Sequence, residues 1–362
     1  MNQIDSLQKQ FFTKNLLDWA AAHPREMPWK GEKNPYLVWL SEIILQQTRV
    51  EQGLPYFLRF REKYPTVAHL AQAEQDEVMK LWEGLGYYSR ARNLHATAKN
   101  ISQNWNGIFP DSFAELRSLK GVGDYTAAAV ASFAFDLPHA VVDGNVYRVL
   151  ARFFGIAAPT DTTEGKKEFA TLAQQLLDGN EPARYNQAIM DFGATHCTPA
   201  APNCVSCLLQ EKCVARLEKK VQQLPVKSKK IIRSERFFNY FDVHSEEKTW
   251  IKRREEKDIW QHLYEFPLIE TTKILTQAEI EEEINRQSLF GENKYTIRQA
   301  SAPIRHQLTH RTVIGIFWEV KISEPSATLS EDYLLVERKN LSNFAFSRLI
   351  VLYFQNKTLL LF

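Results

Sequence analysis

The chain has 362 residues, too many for one ordinary core of ~100–200 residues, so two domains are expected. Hydrophobic residues at 44% and charged residues at 24% exclude a disordered or fibrous chain. A net charge of +2 does not mark a nucleic-acid binder by itself, and no apolar run reaches the ~18 residues of a membrane helix. A cytosolic protein (nucleoid-associated if bacterial) with reduced cysteines is therefore expected.

Helical periodicity runs over residues 4–22, with Leu7, Phe11, Phe12, Leu16, Leu17 and Trp19 on one side. The prolines and charges of PREMPWKGEKNP, residues 24–35, predict a loop. Residues 36–47, YLVWLSEIILQQ, predict a core helix with one acid, Glu42, at its centre. Further helices are predicted over 53–61, 74–81, 89–103 and, with Asp111 or Ser112 as cap, 110–116. Between 81 and 89 lies the loop EGLGYY, whose glycines permit a sharp turn and whose tip carries Tyr87 and Tyr88.

Next comes LKGVGDYTAAAVASFAF, a Gly121/Gly123 turn opening a small-residue helix over 125–135. A glycine turn of this kind takes positive φ, and its backbone N–H groups with the following helix N-terminus favour a phosphate. Asp143 follows, immediately before Gly144 and Asn145, and then helices over 146–154, 163–177 and 182–194. No strand is predicted before residue 220.

Cys197, Cys204, Cys207 and Cys213 are spaced C-x6-C-x2-C-x5-C within seventeen positions. Four clustered thiols in a reducing compartment argue for metal, and both zinc and an iron–sulfur cluster accept them. Eight basic residues follow between Arg216 and Arg236 (with Lys219, Lys220, Lys227, Lys229, Lys230 and Arg233), either a solvated linker or a strap along a phosphate backbone. From Arg236 onward the pattern turns to alternation in FFNYFDVH, TWIKRR, YTIRQ and TVIGIFWEVKI, with helices near 276–287 and 347–355. The expected plan is an all-α domain over 1–220, a basic linker over 221–234 and an α+β domain over 235–362.

Together, LKGVGDYTA, VVDGNVYRVLAR and the cysteine run resemble the helix-hairpin-helix glycosylase superfamily across residues ~25–215. The cysteine spacing resembles the [4Fe–4S] loop of its endonuclease III and MutY branch. The resemblance implies a six-helix hairpin-helix subdomain beside an iron–sulfur subdomain, with Leu119, Gly121 and Gly123 gripping DNA. Two residues past the second hairpin glycine, the endonuclease III branch carries a lysine able to form a Schiff base. Here Tyr125 stands there, which resembles the adenine glycosylases acting opposite 8-oxoguanine. WLSEIILQQTRVEQ, GLGYYSRARNL and YNQAIMDFGATHC resemble segments of that branch, and the strand-rich domain resembles its Nudix-like reader without a Nudix metal box.

The implied reaction is monofunctional removal of adenine from double-stranded DNA, opposite 8-oxoguanine or guanine. Such cleavage calls for one protonated acid and one ionised stabiliser. The apolar neighbours of Glu42 suit the acid, and the polar neighbours of Asp143 and the helix start beside it suit the charged form. By resemblance, Glu42 protonates adenine at N7, Asp143 stabilises the oxocarbenium ion, and Tyr125 and Asn145 hold Asp143. The plainer reading makes Glu42 a buried ion-pair partner and Asp143 a helix cap. Resemblance also places Gln47 and Tyr87 in the base stack and Thr48 on the 8-oxoguanine edge. Lys30 and Gln187 stand near adenine, where members of the family often carry arginine and glutamate. Leu308, Thr309 and His310 fall where the family has a Phe-Ser-His lesion-sensing loop; an ordinary hairpin turn is the alternative. The chain is expected to act as a monomer. The rival functions are a thymine–guanine mismatch glycosylase of the same fold and a non-catalytic iron–sulfur DNA-binding protein.

Overall fold

A computed structural model describes residues 5–228 and 233–359. Lys229 and Lys230 of the basic stretch, and the linker at 229–232, lie outside the described residues. The chain forms two compact units, one of residues 1–71 and 96–230, the other of residues 72–95 and 231–362.

In chain order the helices are α1 (Ser6–Ala22), α2 (Pro35–Leu45), α3 (Val50–Lys63), α4 (Val67–Gln72), α5 (Gln75–Leu81), α6 (Ser89–Asn104), α7 (Phe113–Ser118), α8 (Asp124–Phe135), α9 (Gly144–Phe154), α10 (Thr163–Leu176), α11 (Pro182–Asp191) and α12 (Val214–Leu217). A π-helical turn at Phe192–His196 continues α11. Among the described residues the first unit has no strand. The unpredicted helices, α4 and α12, are only six and four residues long, too short to display a helical period.

Two packing relationships in this unit place the site. Asn34 caps α2, accepting from Tyr36 N at 3.0 Å, with Pro35 at the first helical position. Alpha-helix α2 then lies against α8, whose Ala127, Ala128, Ala129 and Ala131 are at most 4% exposed. Small side chains there let the two backbones approach closely. Secondly, Phe12, Leu16 and Trp19 of α1 share one core with Val149, Leu150 and Phe153 of α9 and Ala188 and Ile189 of α11. Each such large side chain, fully buried, contributes about 1.5–3 kcal/mol, which fixes the start of α9.

The second unit is α+β, as its alternation predicts. Strand β1 (Ser234–His244) lies between β4 (Leu268–Thr271), antiparallel, and β7 (Arg311–Ile322), parallel. Strands β5 (Tyr295–Gln299) and β6 (Ile304–Gln307) pair with β7 antiparallel. A second sheet has β2 (Lys248–Arg253) between β3 (Tyr264–Glu265) and β8 (Leu334–Glu337). Helices α13 (Gln277–Arg286), α14 (Ala327–Asp332) and α15 (Arg348–Leu359) complete it. The strands missing from the sequence reading, β3, β4, β6 and β8, have two to four residues each and too little alternation to read.

The expected division at 221–234 omits one exchange. Residues 72–95, expected within the helical domain, pack with the strand-rich unit. Hydrogen bonds from Arg253 and Tyr264 to Asp76, and from the Phe346 N–H to Glu83, hold them there. These partners are more than 170 positions apart, beyond any local pattern.

Candidate active site

Glu42 lies in the last turn of α2 and is 6% exposed. Burial pushes its carboxyl up to about 7; the Tyr125 hydrogen bond opposes this and the nearby Asp143 charge adds to it. The C-terminal end of a helix disfavours a negative charge as well. Asp143 occupies the opposite kind of position, as the N-cap of α9. Its Oδ1 accepts from the Asn145 and Val146 backbone N–H groups at 2.8 Å each, and its Oδ2 accepts from Asn145 Nδ2 at 2.7 Å.

Two expectations change here. The polar setting of Asp143 suggested a stabilised anion, yet the net shift is upward. Burial raises its pKa, and the Val146 and Asn145 donors and Arg148 only partly oppose it. Sequence shows the donors but not the depth. Tyr125, expected to hold Asp143, instead donates its hydroxyl to Glu42 Oε2 at 2.7 Å. It sits in the first turn of α8, which packs on α2 and so faces Glu42.

Both carboxylates line one cavity of about 790 Å³, together with Tyr125, Asn145, Lys30, Thr48 and Gln187. A contiguous cleft wall carries Gln47, Gly121 and Gly123 beside Tyr125 and Asp143. Gly121 has φ +79°, the left-handed turn that glycine permits. Gly123 differs from expectation: it is the extended N-cap of α8 at φ −93°, and a Cβ there would meet nothing. Its smallness leaves open space in front of the helix N-terminus, the space an anion needs to approach the N–H groups. Leu119 is 6% exposed, so its side chain anchors the hairpin in the core.

Several residues without a sequence-assigned role complete the site. Arg148 Nη2 donates to Asn145 Oδ1 at 2.8 Å and to the Gly193 carbonyl at 2.6 Å, while its Nε donates to the Cys197 carbonyl at 2.7 Å. One guanidinium thus ties the residue holding Asp143 to the cysteine loop. Arg152, one turn on, donates to Cys197 Sγ at 3.4 Å and to the Thr198 and Pro199 carbonyls. Two buried arginines four apart on an apolar helix face are the available sequence signal. Asp191, 4% exposed, accepts from Lys30 Nζ at 2.8 Å and Arg25 Nη1 at 3.4 Å, which fixes Lys30 at the cavity wall.

All four cysteine side chains line one cavity under α9, and Cys207 is pushed up to about 11, by burial first and then by the three other sulfurs. In the second unit, Tyr87 and Thr309 hydroxyls lie 3.1 Å apart. Leu308, Thr309 and His310 form the tight turn between β6 and β7, closed by Leu308 N to the Arg311 carbonyl at 2.7 Å. The three residues therefore do sit on a hairpin turn. Gln47 and Tyr87, the two residues expected in the base stack, both hold left-handed backbone, at φ +57° and +49°. That conformation is uncommon for side chains of their size and clusters at functional sites.

The two carboxylates share one cavity, and the glycine turn lines the adjoining cleft. Residues 40–175 match the family model of HhH-GPD superfamily base excision DNA repair proteins, and residues 240–356 match a NUDIX domain. The chain is 28% identical to a solved thermostable thymine-DNA glycosylase, covering 59% of this chain and 98% of that one at a TM-score of 0.55. It is 25% identical to endonuclease III solved in a non-covalent DNA complex, covering 58% of this chain and 97% of that one at 0.51. An adenine DNA glycosylase of Buchnera aphidicola (subsp. Baizongia pistaciae) is 34% identical over 85% of both chains. The human adenine DNA glycosylase is 41% identical over 59% of this chain and 41% of its own length. The chain belongs to the adenine DNA glycosylase family.

Proposed function

We propose that this glycosylase removes adenine opposite 8-oxoguanine or guanine in double-stranded DNA, hydrolysing the N-glycosidic bond without cutting the strand. The observation that carries the reading is the unequal carboxylate pair. Glu42, at about 7, is available as a proton donor near neutral pH, whereas Asp143, although burial raises it, accepts three N–H bonds that favour its ionised form. Glu42 protonates the flipped adenine at N7 and then activates water. Asp143 stabilises the positive charge on the sugar, oriented by Asn145 and, through it, Arg148. Where the endonuclease III branch carries its Schiff-base lysine, this chain has the Tyr125 hydroxyl. Gln187 and Lys30 are the cavity's polar contacts for the base. Gln47, Thr48 and Tyr87 serve the stack and the opposite base, and Leu308, Thr309 and His310 read the lesion. Base flipping costs a few kcal/mol.

We also infer that the four cysteines hold a [4Fe–4S] cluster. All four cysteines line one cavity, and their irregular run has only one C-x2-C pair, where zinc sites usually show two. The spacing resembles the [4Fe–4S] loop of the endonuclease III and MutY branch. When bound, the cluster cross-links the loop that Arg148 and Arg152 grip and supplies no acid or base. A thiolate–iron absorbance band with about four irons per chain is expected; stoichiometric zinc overturns this assignment.

The protein is expected to work as a monomer in the cytoplasm, associated with the nucleoid if it is bacterial. Single-turnover assays on duplexes with A opposite 8-oxoguanine, A opposite G and T opposite G test the function. Adenine release that leaves the strand intact until alkali is added is expected. Preferential thymine release would instead establish the mismatch glycosylase, and no base release would leave a DNA-binding protein.

A further inference from the structure

Residues 72–95 carry the tyrosine assigned to the base stack, and they are built into the unit that carries the lesion-reading turn. Within that unit, Asp76 on α5 accepts from Tyr264 OH at 2.7 Å and Arg253 Nη1 at 3.1 Å. Lys80 Nζ donates to the Phe344 carbonyl at 3.0 Å and to Glu83 at 2.6 Å. Glu83 Oε1 accepts from the Phe346 backbone N–H at 2.7 Å. Past the loop, Arg92 Nη1 donates to the Gln261 carbonyl at 2.8 Å. Both ends of the glycine loop are thereby fixed to the strand-rich scaffold.

The loop between these anchors is cross-tied: Trp82 Nε1 and Arg90 Nη2 donate to the Gly86 carbonyl at 3.0 and 3.2 Å, and the Gly84 N–H donates to the Tyr88 hydroxyl at 3.1 Å. Gly84 and Gly86 take φ +89° and +81°, a region in which glycine costs little and constrains little. Tyr87 holds φ +49° there, 49% exposed, with its hydroxyl 3.1 Å from Thr309 Oγ1. The Arg90 guanidinium lies 5.4 Å from the Tyr87 ring and 5.1 Å from the Trp82 ring. An exposed aromatic in a sparsely populated conformation persists only where its surroundings fix the backbone.

We propose that Glu83 and Asp76 are positioning residues for lesion discrimination. They hold the Tyr87 loop and the Leu308–His310 turn as one reading body, so the side chain that enters the stack is set in register with the turn that reads the opposite base. The proposal rests on the roles given above to Tyr87 and that turn. Neither acid touches substrate; both act through Tyr87.

The test uses the full-length protein with its cluster and the ratio of single-turnover rates for A opposite 8-oxoguanine over A opposite G. Glu83→Ala should lower this ratio about tenfold, the size of one hydrogen bond to a charged group. Tyr264→Phe, which removes a hydroxyl donor to Asp76 and keeps the ring, should lower it in the same direction. The rate on A opposite G should hold in both, which reports an intact fold and catalytic pair. In a Tyr87→Ala background the same substitutions should have no further effect, because the side chain they position is gone. An unchanged ratio in both variants, where Tyr87→Ala alone lowers it, overturns the proposal. So does an equal drop in the Tyr87→Ala background, since general destabilisation is additive. Glu83→Gln, which keeps an acceptor for the Phe346 N–H, should restore most of the ratio and decides the matter if Glu83→Ala unfolds. A wild-type ratio near one overturns the lesion-reading assignment itself.

Discussion

Replacing Tyr125 by phenylalanine deletes one hydroxyl from the catalytic cavity and leaves the ring in place. That hydroxyl donates to Glu42 Oε2 at 2.7 Å and stabilises the ionised carboxylate, opposing the burial that carries Glu42 to about 7. A hydrogen bond to a charged group is worth about 1.5–3 kcal/mol, and one pKa unit is about 1.4 kcal/mol, so its loss should raise Glu42 by about one to two units. Glu42 acts protonated, so base release falls as pH rises through its pKa. The alkaline limb of the single-turnover rate should therefore move from near 7 toward about 8–9 in Tyr125→Phe. Bound DNA shifts both proteins alike, so the difference between their profiles reports the hydroxyl. A limb that stays in place or moves to lower pH would refute both the acid assignment and the Tyr125–Glu42 pairing.

Glu42→Gln should bind the lesion duplex yet release almost no adenine; a near-normal single-turnover rate would sink the acid role. It should also be the more stable protein in alkali. Because the folded carboxyl titrates at about 7 against 4.5 for the model group, its stability is full below about pH 4.5 and declines as pH rises to about 7. That decline amounts to about 3 kcal/mol, so urea melts at pH 5 and pH 8 should diverge in wild type and converge in the variant. Tyr125→Lys should gain borohydride-trappable strand cleavage, and absence of a trapped complex would count against the aligned geometry. Gly193→Ala would place a Cβ 2.7 Å from Asn145 Cβ and 2.9 Å from its carbonyl oxygen, shifting the residue that orients Asp143. A loss of about 1–3 kcal/mol in stability, with slower base release at constant DNA affinity, is expected from thermal melts and single-turnover rates.

Much of the site was legible because its signals are local. The hairpin needs glycine at Gly121 for its positive φ, and Asp143 caps α9 through donors two and three residues away. The acid in the core helix α2 stands out against its apolar neighbours, and the two long strands β1 and β7 announce themselves by alternation. The family resemblance added expectations that spacing alone left open, such as iron over zinc.

What the sequence by itself determined about this protein was its inventory: two folded units of different class, a glycine turn ahead of a helix, two carboxylates of unequal setting and four grouped thiols. Only the tertiary structure decided how these are wired. Tyr125 serves Glu42 rather than Asp143 because α8 packs its first turn on the end of α2. Burial overrides the capping hydrogen bonds at Asp143, and depth is a property of all the packed elements together. Arg148 bridges Asn145 to the cysteine loop, and Asp191 claims Lys30, across separations of 49 and 161 positions. Residues 72–95 leave their sequence neighbours for the strand-rich unit for the same reason. Short-range periodicity and turn chemistry fix elements, whereas partners far apart along the chain are chosen by the packing that brings them together.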